Sequence, residues 1–263
     1  MRAQLHDIVL AYDASGDGRP LLFLHGYPLN RKMWRPQLET LTDAARVIAP
    51  DLRGHGESNV PDEPYTVDRL ADDLVELLDN LGLAGPVVVG GLSMGGYVAL
   101  AFYRRHQERV AGLILAATRA GADSEAGKAN RDKAMALARE KGVEAIAESM
   151  LPKMLAPESY PSKPGLVHEL RHIMAQTPLN GVIGDLTAMR DRPDSTELLG
   201  GILEPVLVIH GQEDQLIPPS EAEAAFARLP NARLALVPRV GHLLNLEQPE
   251  AFDAEVRNFL RSF

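Results

Sequence analysis

The stretch from Val87 to Tyr97, which reads VVVGGLSMGGY, constrains this chain more than any other. Three β-branched residues predict a buried strand, a Gly-x-Ser-x-Gly pentapeptide follows, and the next residues favour a helix. A strand, a sharp turn and a helix, with a serine at the turn, form the layout of a nucleophile elbow. Gly91 and Gly95 leave room beside that serine because glycine has no Cβ. Ser93 is therefore the first candidate catalytic residue.

The pentapeptide alone is equally compatible with a tight turn capped by a serine, so partners for Ser93 decide between the two interpretations. A serine hydroxyl needs a base to take its proton, and the base needs an acid to orient it. After a nucleophile elbow, the expected chain order is Ser, then Asp or Glu, then His. Asp214 follows the apolar run 206–209, and His242 follows the run 234–237. The sequence therefore predicts a triad of Ser93, Asp214 and His242.

Each partner also has an alternative interpretation. Asp214 is compatible with a turn former or helix cap, and its neighbour Glu213 carries the same carboxylate chemistry. His242 is compatible with a packed loop histidine, as is common near strand ends.

Acyl transfer also requires hydrogen-bond donors for the oxyanion that develops during the reaction. The backbone N–H of Met94, the residue after the nucleophile, is one predicted donor. The second is expected in the loop after an early strand, where we predict the N–H of Tyr27, since Pro28 has none. For His25, in the same loop, we favour a structural hydrogen bond.

Short apolar runs alternate with helical patterns and predict an α/β fold with a mostly parallel, doubly wound sheet. The first strands lack helical spacers and favour an antiparallel edge. From 123 to 199 only helical patterns occur, broken at prolines, with predicted helices at 128–141, 143–155, 165–176 and 180–190. We interpret 123–199 as a helical cap inserted between two strands, and 1–122 with 200–263 as the core. A cap there would cover the sheet edge where ligands bind. The remaining strands are predicted at 8–12, 21–24, 46–49, 87–89, 110–117, 206–209 and 234–237, and the remaining helices at 35–42, 67–81, 95–105, 220–229 and 251–263.

Composition excludes several function classes. The formal net charge of −9 argues against nucleic acid or an anionic membrane surface as a partner, since both require a basic footprint. The chain has no cysteine, which excludes disulfides, thiolate metal sites and a cysteine nucleophile. We find no secretory signal and no apolar run of transmembrane length, so a cytoplasmic protein is the default expectation. The sequence gives no indication of the oligomeric state.

With these residues assembled, the chain resembles the α/β-hydrolase superfamily along almost its whole length. The resemblance implies a serine hydrolase of carboxylic esters or lactones that needs no metal and no organic cofactor, acting on a small molecule. Within the superfamily, residues 25–34 and 242–249 resemble small bacterial esterases, perhydrolases and enol-lactonases. We expect hydrolysis of short- to medium-chain acyl esters through an acyl-enzyme, with lactone hydrolysis, of an enol-lactone or an acyl-homoserine lactone, as the alternative. The matching segments are 25–28, 51–58, 91–95, 211–214 and 241–242.

The segment Asp51–Ser58 is expected to be structural, with glycines at tight turns and with Arg53 and His55 joining loops. A direct catalytic role for His55 is the less favoured alternative, because His242 already occupies the position expected for the base.

The substrate pocket is less constrained. Positions beside the motifs point to Trp34, and cap residues such as Met150, Leu151, Met154, Ile173 and Met174 predict an apolar lining. Methionine stripes of this kind are also common in ordinary packing.

Two rival functions come from other classes. His168, Glu169 and His172 match the zinc pattern His-Glu-x-x-His, although no clear third ligand follows and incidental histidines on a cap helix explain the match as well. A receptor on the same fold, which holds a ligand with little turnover, is the other alternative.

Overall fold

The computed structural model describes residues 1–263 and contains eight strands in one sheet. The strand order is 1-2-4-3-5-6-7-8, with antiparallel pairing only between strands 1 and 2 and between strands 2 and 4. The mostly parallel sheet and its antiparallel edge agree with the sequence-based prediction. The strands are β1 (Arg2–Gln4), β2 (Val9–Ser15), β3 (Pro20–Leu24), β4 (Arg46–Pro50), β5 (Val87–Leu92), β6 (Val110–Ala116), β7 (Val206–Gly211) and β8 (Ala232–Val237).

Eleven α-helices surround the sheet, and five of them lie between β6 and β7. That segment contains no strand, as predicted. The predicted helix 143–155 is shorter in the structure because Pro152 follows its last turn, and a 3-10 helix, Leu151–Lys153, takes its place. The helices are α1 (Arg35–Thr40), α2 (Val67–Asn80), α3 (Met94–Arg105), α4 (Glu125–Lys141), α5 (Val143–Met150), α6 (Ser159–Ser162), α7 (Pro164–Ala175), α8 (Leu179–Arg190), α9 (Pro219–Phe226), α10 (Leu244–Glu247) and α11 (Pro249–Leu260).

Two hydrophobic clusters cover the two faces of the sheet. Alternate side chains of β3 point to opposite faces, so that Leu22 joins one cluster and Phe23 the other. The amphipathic helix α2 buries Leu70, Leu74 and Leu77 in the same cluster as Leu22. Each such leucine stabilises the fold by roughly 2 kcal/mol through burial. A sheet covered on both sides explains why its central strands are continuously apolar.

The parallel central strands end at one common edge. The register pairs Leu92 with Ala116 and Ala116 with Ile209, so β5, β6 and β7 stop side by side. The loops that follow these strands, which start at Ser93, Ala117 and Gln212, therefore gather at this edge. This is the edge where open α/β sheets bind ligands. None of the helices has both the length and the apolar character needed to cross a membrane.

Candidate active site

Ser93 lies at the sharp turn between β5 and α3, with a φ of 56° and a ψ of −115°. A positive φ is strained in a residue with a side chain and costs on the order of 1–3 kcal/mol. Two hydrogen bonds hold the turn. The Ser93 N–H donates to the Ala116 carbonyl at 2.9 Å, and the Thr118 hydroxyl donates to the Ser93 carbonyl at 2.8 Å. The neighbouring strand thereby fixes a serine whose side chain stays partly exposed.

The glycines on either side of Ser93 are required by close backbone contacts. A Cβ on Gly91 would lie 2.0 Å from the Gly95 carbonyl oxygen, and one on Gly95 would lie 2.2 Å from the Leu24 carbonyl oxygen. Both distances are far below van der Waals contact. The pentapeptide therefore has the glycines that this turn needs, as the sequence predicts.

Asp214 and His242 meet beside the carboxyl end of β7. The Nδ1 atom of His242 lies 2.7 Å from Asp214 Oδ2, and Asp214 Oδ1 accepts the N–H groups of Leu216 and Ile217 at 2.8 and 3.0 Å. His210 Nε2 lies 3.1 Å from the same Oδ2. Burial alone would raise the pKa of Asp214, but the charge of His242 and these hydrogen bonds lower it below its usual range. The Asp214 side chain is therefore an ionised, fixed acceptor.

This arrangement determines which nitrogen of His242 is available for chemistry. With Nδ1–H donating to Asp214, the basic lone pair is on Nε2, which makes no hydrogen bond to protein. Ser93 Oγ also makes none. The structure thus joins His242 to Asp214 directly and brings Ser93 to the same sheet edge without a direct Ser93–His242 bond. Glu213 makes no ion pair with His242; Asp214 does.

Two backbone N–H groups without protein acceptors lie next to Ser93. Met94 is the first residue of α3, so its N–H has no partner within the helix. The N–H of Tyr27 has no acceptor either. The Tyr27 loop is close, because a Cβ on Gly26 would lie 3.5 Å from the Ser93 Cβ.

His25, Arg53 and His55 have structural contacts. His25 Nε2 accepts the Leu52 N–H at 3.0 Å, which leaves Nδ1–H to donate to the Gly26 carbonyl. Arg53 makes a two-pronged ion pair with Asp73 of α2, both contacts at 2.6 Å. His55 is completely buried. These contacts agree with the loop-joining roles expected from the sequence.

The predicted substrate-binding residues divide into two groups. Trp34 is fully buried and stacks on Phe23 with ring centroids 4.3 Å apart, and Met154 is also fully buried. Their side chains pack in the core, so the expectation that Trp34 and Met154 contact substrate is wrong. The same holds for the other cap residues, Leu151, Ile173 and Met174, which are buried among apolar neighbours. Met150 differs, because it lines a cavity.

That cavity has a volume of about 480 Å³ and lies between α4, α5 and the loops after β3 and β6. Its lining includes Tyr27 and Met150, but also the charged residues Arg119, Asp123 and Arg131. Sequence reasoning missed these three residues, and the expected apolar lining is wrong in this respect. Their charges were visible in the sequence, but nothing in it indicated that they converge.

The His-Glu-x-x-His segment lies on α7, where His168, Glu169 and His172 are all exposed. His172 Nε2 lies 2.9 Å from the side-chain nitrogen of Gln176, which is four residues further along the chain. No group of three or more metal-ligating side chains gathers here or elsewhere in the structure.

Fold and site geometry together define a hydrolase of the α/β class. A family model described as alpha/beta hydrolase fold matches residues 19–249, and the chain belongs to this family. It is 31% identical to 3-oxoadipate enol-lactonase 2 of Acinetobacter baylyi, across 98% of this chain and 95% of that protein. A thermophilic esterase from Thermogutta terrifontis, solved with malate bound, is 42% identical with a TM-score of 0.96, covering 100% of this chain and 98% of its own. The enol-lactonase from Burkholderia xenovorans LB400 is 29% identical with a TM-score of 0.92, covering 99% and 100%.

Proposed function

We propose that this protein is a serine hydrolase that cleaves carboxylic esters through an acyl-enzyme, with Ser93, Asp214 and His242 as its triad. The observation that carries the proposal is the 2.7 Å contact between His242 and the ionised Asp214, at the sheet edge where Ser93 forms a strained turn. Strain at a partly exposed serine is typical of functional sites. The esterase similarity of the chain supports the same chemistry.

In the proposed mechanism, His242 Nε2 takes the proton of Ser93 as the serine oxygen attacks the ester carbonyl. Asp214 keeps the imidazole in the correct tautomer and stabilises the imidazolium that forms. The N–H groups of Tyr27 and Met94 donate to the oxyanion. His242 then protonates the leaving alcohol, and water repeats the sequence on the acyl-enzyme, which releases the acid and restores Ser93.

Lactone hydrolysis is the second candidate, and the similarity to two enol-lactonases favours it specifically. A lactone is an internal ester, so the same triad would open it, and the leaving alcohol would remain attached to the acyl group. The two candidates differ in substrate and share every catalytic residue. A panel of acyl esters of graded length, enol-lactones and acyl-homoserine lactones separates them by kcat/KM.

The variant Ser93→Ala tests the proposed nucleophile. Because the variant lacks the nucleophile, kcat on any accepted ester should fall by about 10⁴- to 10⁶-fold, as in other triad enzymes. Steady-state hydrolysis of p-nitrophenyl butyrate measures the loss. Labelling by a fluorophosphonate, detected as a mass increase on the peptide that contains Ser93, gives a readout independent of turnover.

Ser162→Ala is the matched control, because Ser162 is an exposed serine whose hydroxyl bonds only to the Glu158 carbonyl. It should retain normal activity and labelling. Wild-type-like turnover by Ser93→Ala would overturn the triad. Activity that is abolished by chelators and insensitive to the fluorophosphonate would instead favour the zinc alternative. Tight ligand binding by a chain that turns over none of the panel would favour the receptor.

A further inference from the structure

Three residues that line the cavity of about 480 Å³ are linked to the candidate catalytic residues, although no residue of the proposed triad lines it. Tyr27, one of its lining residues, carries a candidate oxyanion N–H. Arg119 follows Thr118, whose hydroxyl binds the Ser93 carbonyl. Leu216 donates its N–H to Asp214 at 2.8 Å. The volume lies within the range of small-molecule sites, so the cavity is well placed to hold the part of a substrate beyond the reacting carbonyl.

Positively charged side chains outnumber negatively charged ones around this cavity. Asp123 is the only acid in the lining, and three arginines converge on its carboxylate: Arg119 at 2.5 Å, Arg131 at 3.0 Å and Arg192 at 2.8 Å. Burial alone would raise the pKa of Asp123, but the charges of Arg131 and Arg192 lower it, so the carboxylate is ionised. Three guanidinium groups against one carboxylate leave a net charge of about +2, because arginine stays protonated.

One of the three arginines is held mainly by groups within the protein. Arg192 donates to the carbonyls of Met189 and Gly121, both at 2.7 Å, and its guanidinium lies 4.1 Å from the centroid of the Tyr97 ring. Its side chain is almost completely buried. Arg192 is therefore a buried structural partner of Asp123, whereas Arg119 and Arg131 reach the cavity.

Arg119 and Arg131 have donors to spare. Each makes a single hydrogen bond, to Asp123, although a guanidinium has five N–H groups. Both side chains are partly exposed and line the cavity. The hydroxyl of Tyr27, a buried residue of the same lining, has no hydrogen-bond partner. Burial and the charge of Asp185 raise the pKa of Tyr27, so the hydroxyl remains a donor.

We infer that Arg119 and Arg131 form an anion subsite, and that the preferred substrates are esters or lactones that carry a carboxylate away from the reacting carbonyl. The inference rests on the proposed hydrolase function and narrows its substrate class. Guanidinium groups bind carboxylates through paired, charge-assisted hydrogen bonds, and few protein groups match that geometry as well. The neutral acyl chains expected from the sequence would leave the remaining N–H groups of both arginines without an acceptor.

The test compares three methyl esters of equal chain length by pH-stat titration. Monomethyl adipate is anionic, methyl hexanoate is neutral and methyl 6-aminohexanoate is cationic. The wild-type kcat/KM should favour the anionic ester over the neutral one by roughly ten- to a hundredfold, the range for hydrogen bonds to a charged group. Arg131→Gln should lower this preference ratio at least about tenfold, and Arg131→Glu should shift it towards the cationic ester.

Arg190→Gln is the matched control. Arg190 is a nearby arginine of α8 that pairs with Asp132 at 2.8 Å and with Asp191 at 2.7 Å, and it does not line the cavity. Its substitution should leave the preference ratio unchanged. Arg131→Gln should fold, because Arg192 still pairs with Asp123, and a thermal melt verifies this.

Binding of the adipate dianion to Ser93→Ala, measured by calorimetry, separates this inference from the proposed function. Binding that Arg131→Gln weakens at least tenfold supports the subsite even if no ester is turned over, in which case only the hydrolase proposal fails. Equal kcat/KM for the anionic and neutral esters in an active wild-type enzyme would overturn the subsite. A preference that survives in both Arg119→Gln and Arg131→Gln would overturn it as well.

Discussion

The backbone of Ser93 is strained, and the residues around it hold it in that conformation. Its φ is positive, and both of its backbone groups are anchored to the end of β6 and the loop that follows it. The cost of about 1–3 kcal/mol is small beside the burial energy of the central strands. Local propensity alone would not produce this conformation, so the surrounding packing must impose it.

Gly95→Ala tests how tightly that packing constrains the turn. In an ordinary helix the substitution would stabilise, by up to about 1 kcal/mol. Here the new Cβ would meet the backbone oxygen of Leu24 at 2.2 Å, and a central strand cannot move aside. We expect the free energy of unfolding to fall by at least about 2 kcal/mol, with a parallel loss of esterase activity. Urea denaturation followed by circular dichroism measures the change.

Gly165→Ala is the control, since Gly165 lies on the helix α7 and a Cβ there meets no atom within 4 Å. That variant should be as stable as the wild type or slightly more stable. Equal stability of Gly95→Ala and the wild type would mean that α3 can shift away from β3, so that the close approach of Gly95 to the Leu24 carbonyl oxygen does not constrain the turn.

At the scale of elements, long periodic segments were predictable and short or cooperative ones were not. Helix α2 was predicted within a residue because its apolar side recurs at helical spacing over fourteen residues. Strand β1 was missed because it has three residues and only Ala3 is buried. The contact between Asp214 and His242 could be anticipated because both residues follow strands in the order expected after a nucleophile elbow. The convergence of Arg119 and Arg131 could not, since only the packing of α4 against the β6 loop brings them together.

Helix α8 packs closely against the loop after β4. A Cβ on Gly181 would lie 2.0 Å from the Gly54 carbonyl oxygen, so the two backbones touch. One turn further along, the buried Asp185 lies 3.0 Å from His55 Nε2 and accepts a hydrogen bond from Tyr65 at 2.7 Å. Burial alone would lower the pKa of His55, but the charge of Asp185 raises it above its ordinary value. The pair of Asp185 and His55 thus joins this helix to the loop after β4.

Asp185→Asn should therefore destabilise the protein in a pH-dependent way. A histidine whose pKa is raised on folding contributes stability that is present in full below its unfolded pKa of about 6.5 and is lost as the pH rises through its folded pKa. Breaking a buried pair costs about 3 kcal/mol or more. We expect a loss of that size at pH 5.5 and a smaller one at pH 9. Urea unfolding of both proteins at the two pH values measures it.

The Arg190→Gln protein, which loses two partly exposed ion pairs of a residue on the same helix, should differ from wild type by less than about 1 kcal/mol at both pH values. A deficit of Asp185→Asn that is equal at pH 5.5 and pH 9 would show that His55 is not the titrating partner.

At the scale of the whole molecule, hydrogen bonds join an early segment of the chain to a late one. Asn245, three residues after His242, donates to the Met33 carbonyl at 2.8 Å, and Gln37 donates to the Asn245 carbonyl at 3.2 Å. Gln37 also donates to Asp253 of α11 at 3.0 Å. All of these side chains are buried. The segment that follows the Tyr27 loop and the helix that follows His242 are thus tied together across more than 200 residues of sequence.

Asn245→Ala should weaken the connection between these two segments. The substitution removes the Asn245 Nδ2 donor from the buried Met33 carbonyl and from Gln37 Oε1, which should cost about 2 kcal/mol of unfolding free energy. Because Tyr27 and His242 act on the same substrate carbonyl in the proposed mechanism, kcat should also fall roughly tenfold at temperatures where the variant is fully folded. Asn180→Ala, at an exposed position of α8, should change neither quantity. Lower stability with an unchanged kcat would show that the network supports the fold without positioning Tyr27 and His242 for catalysis.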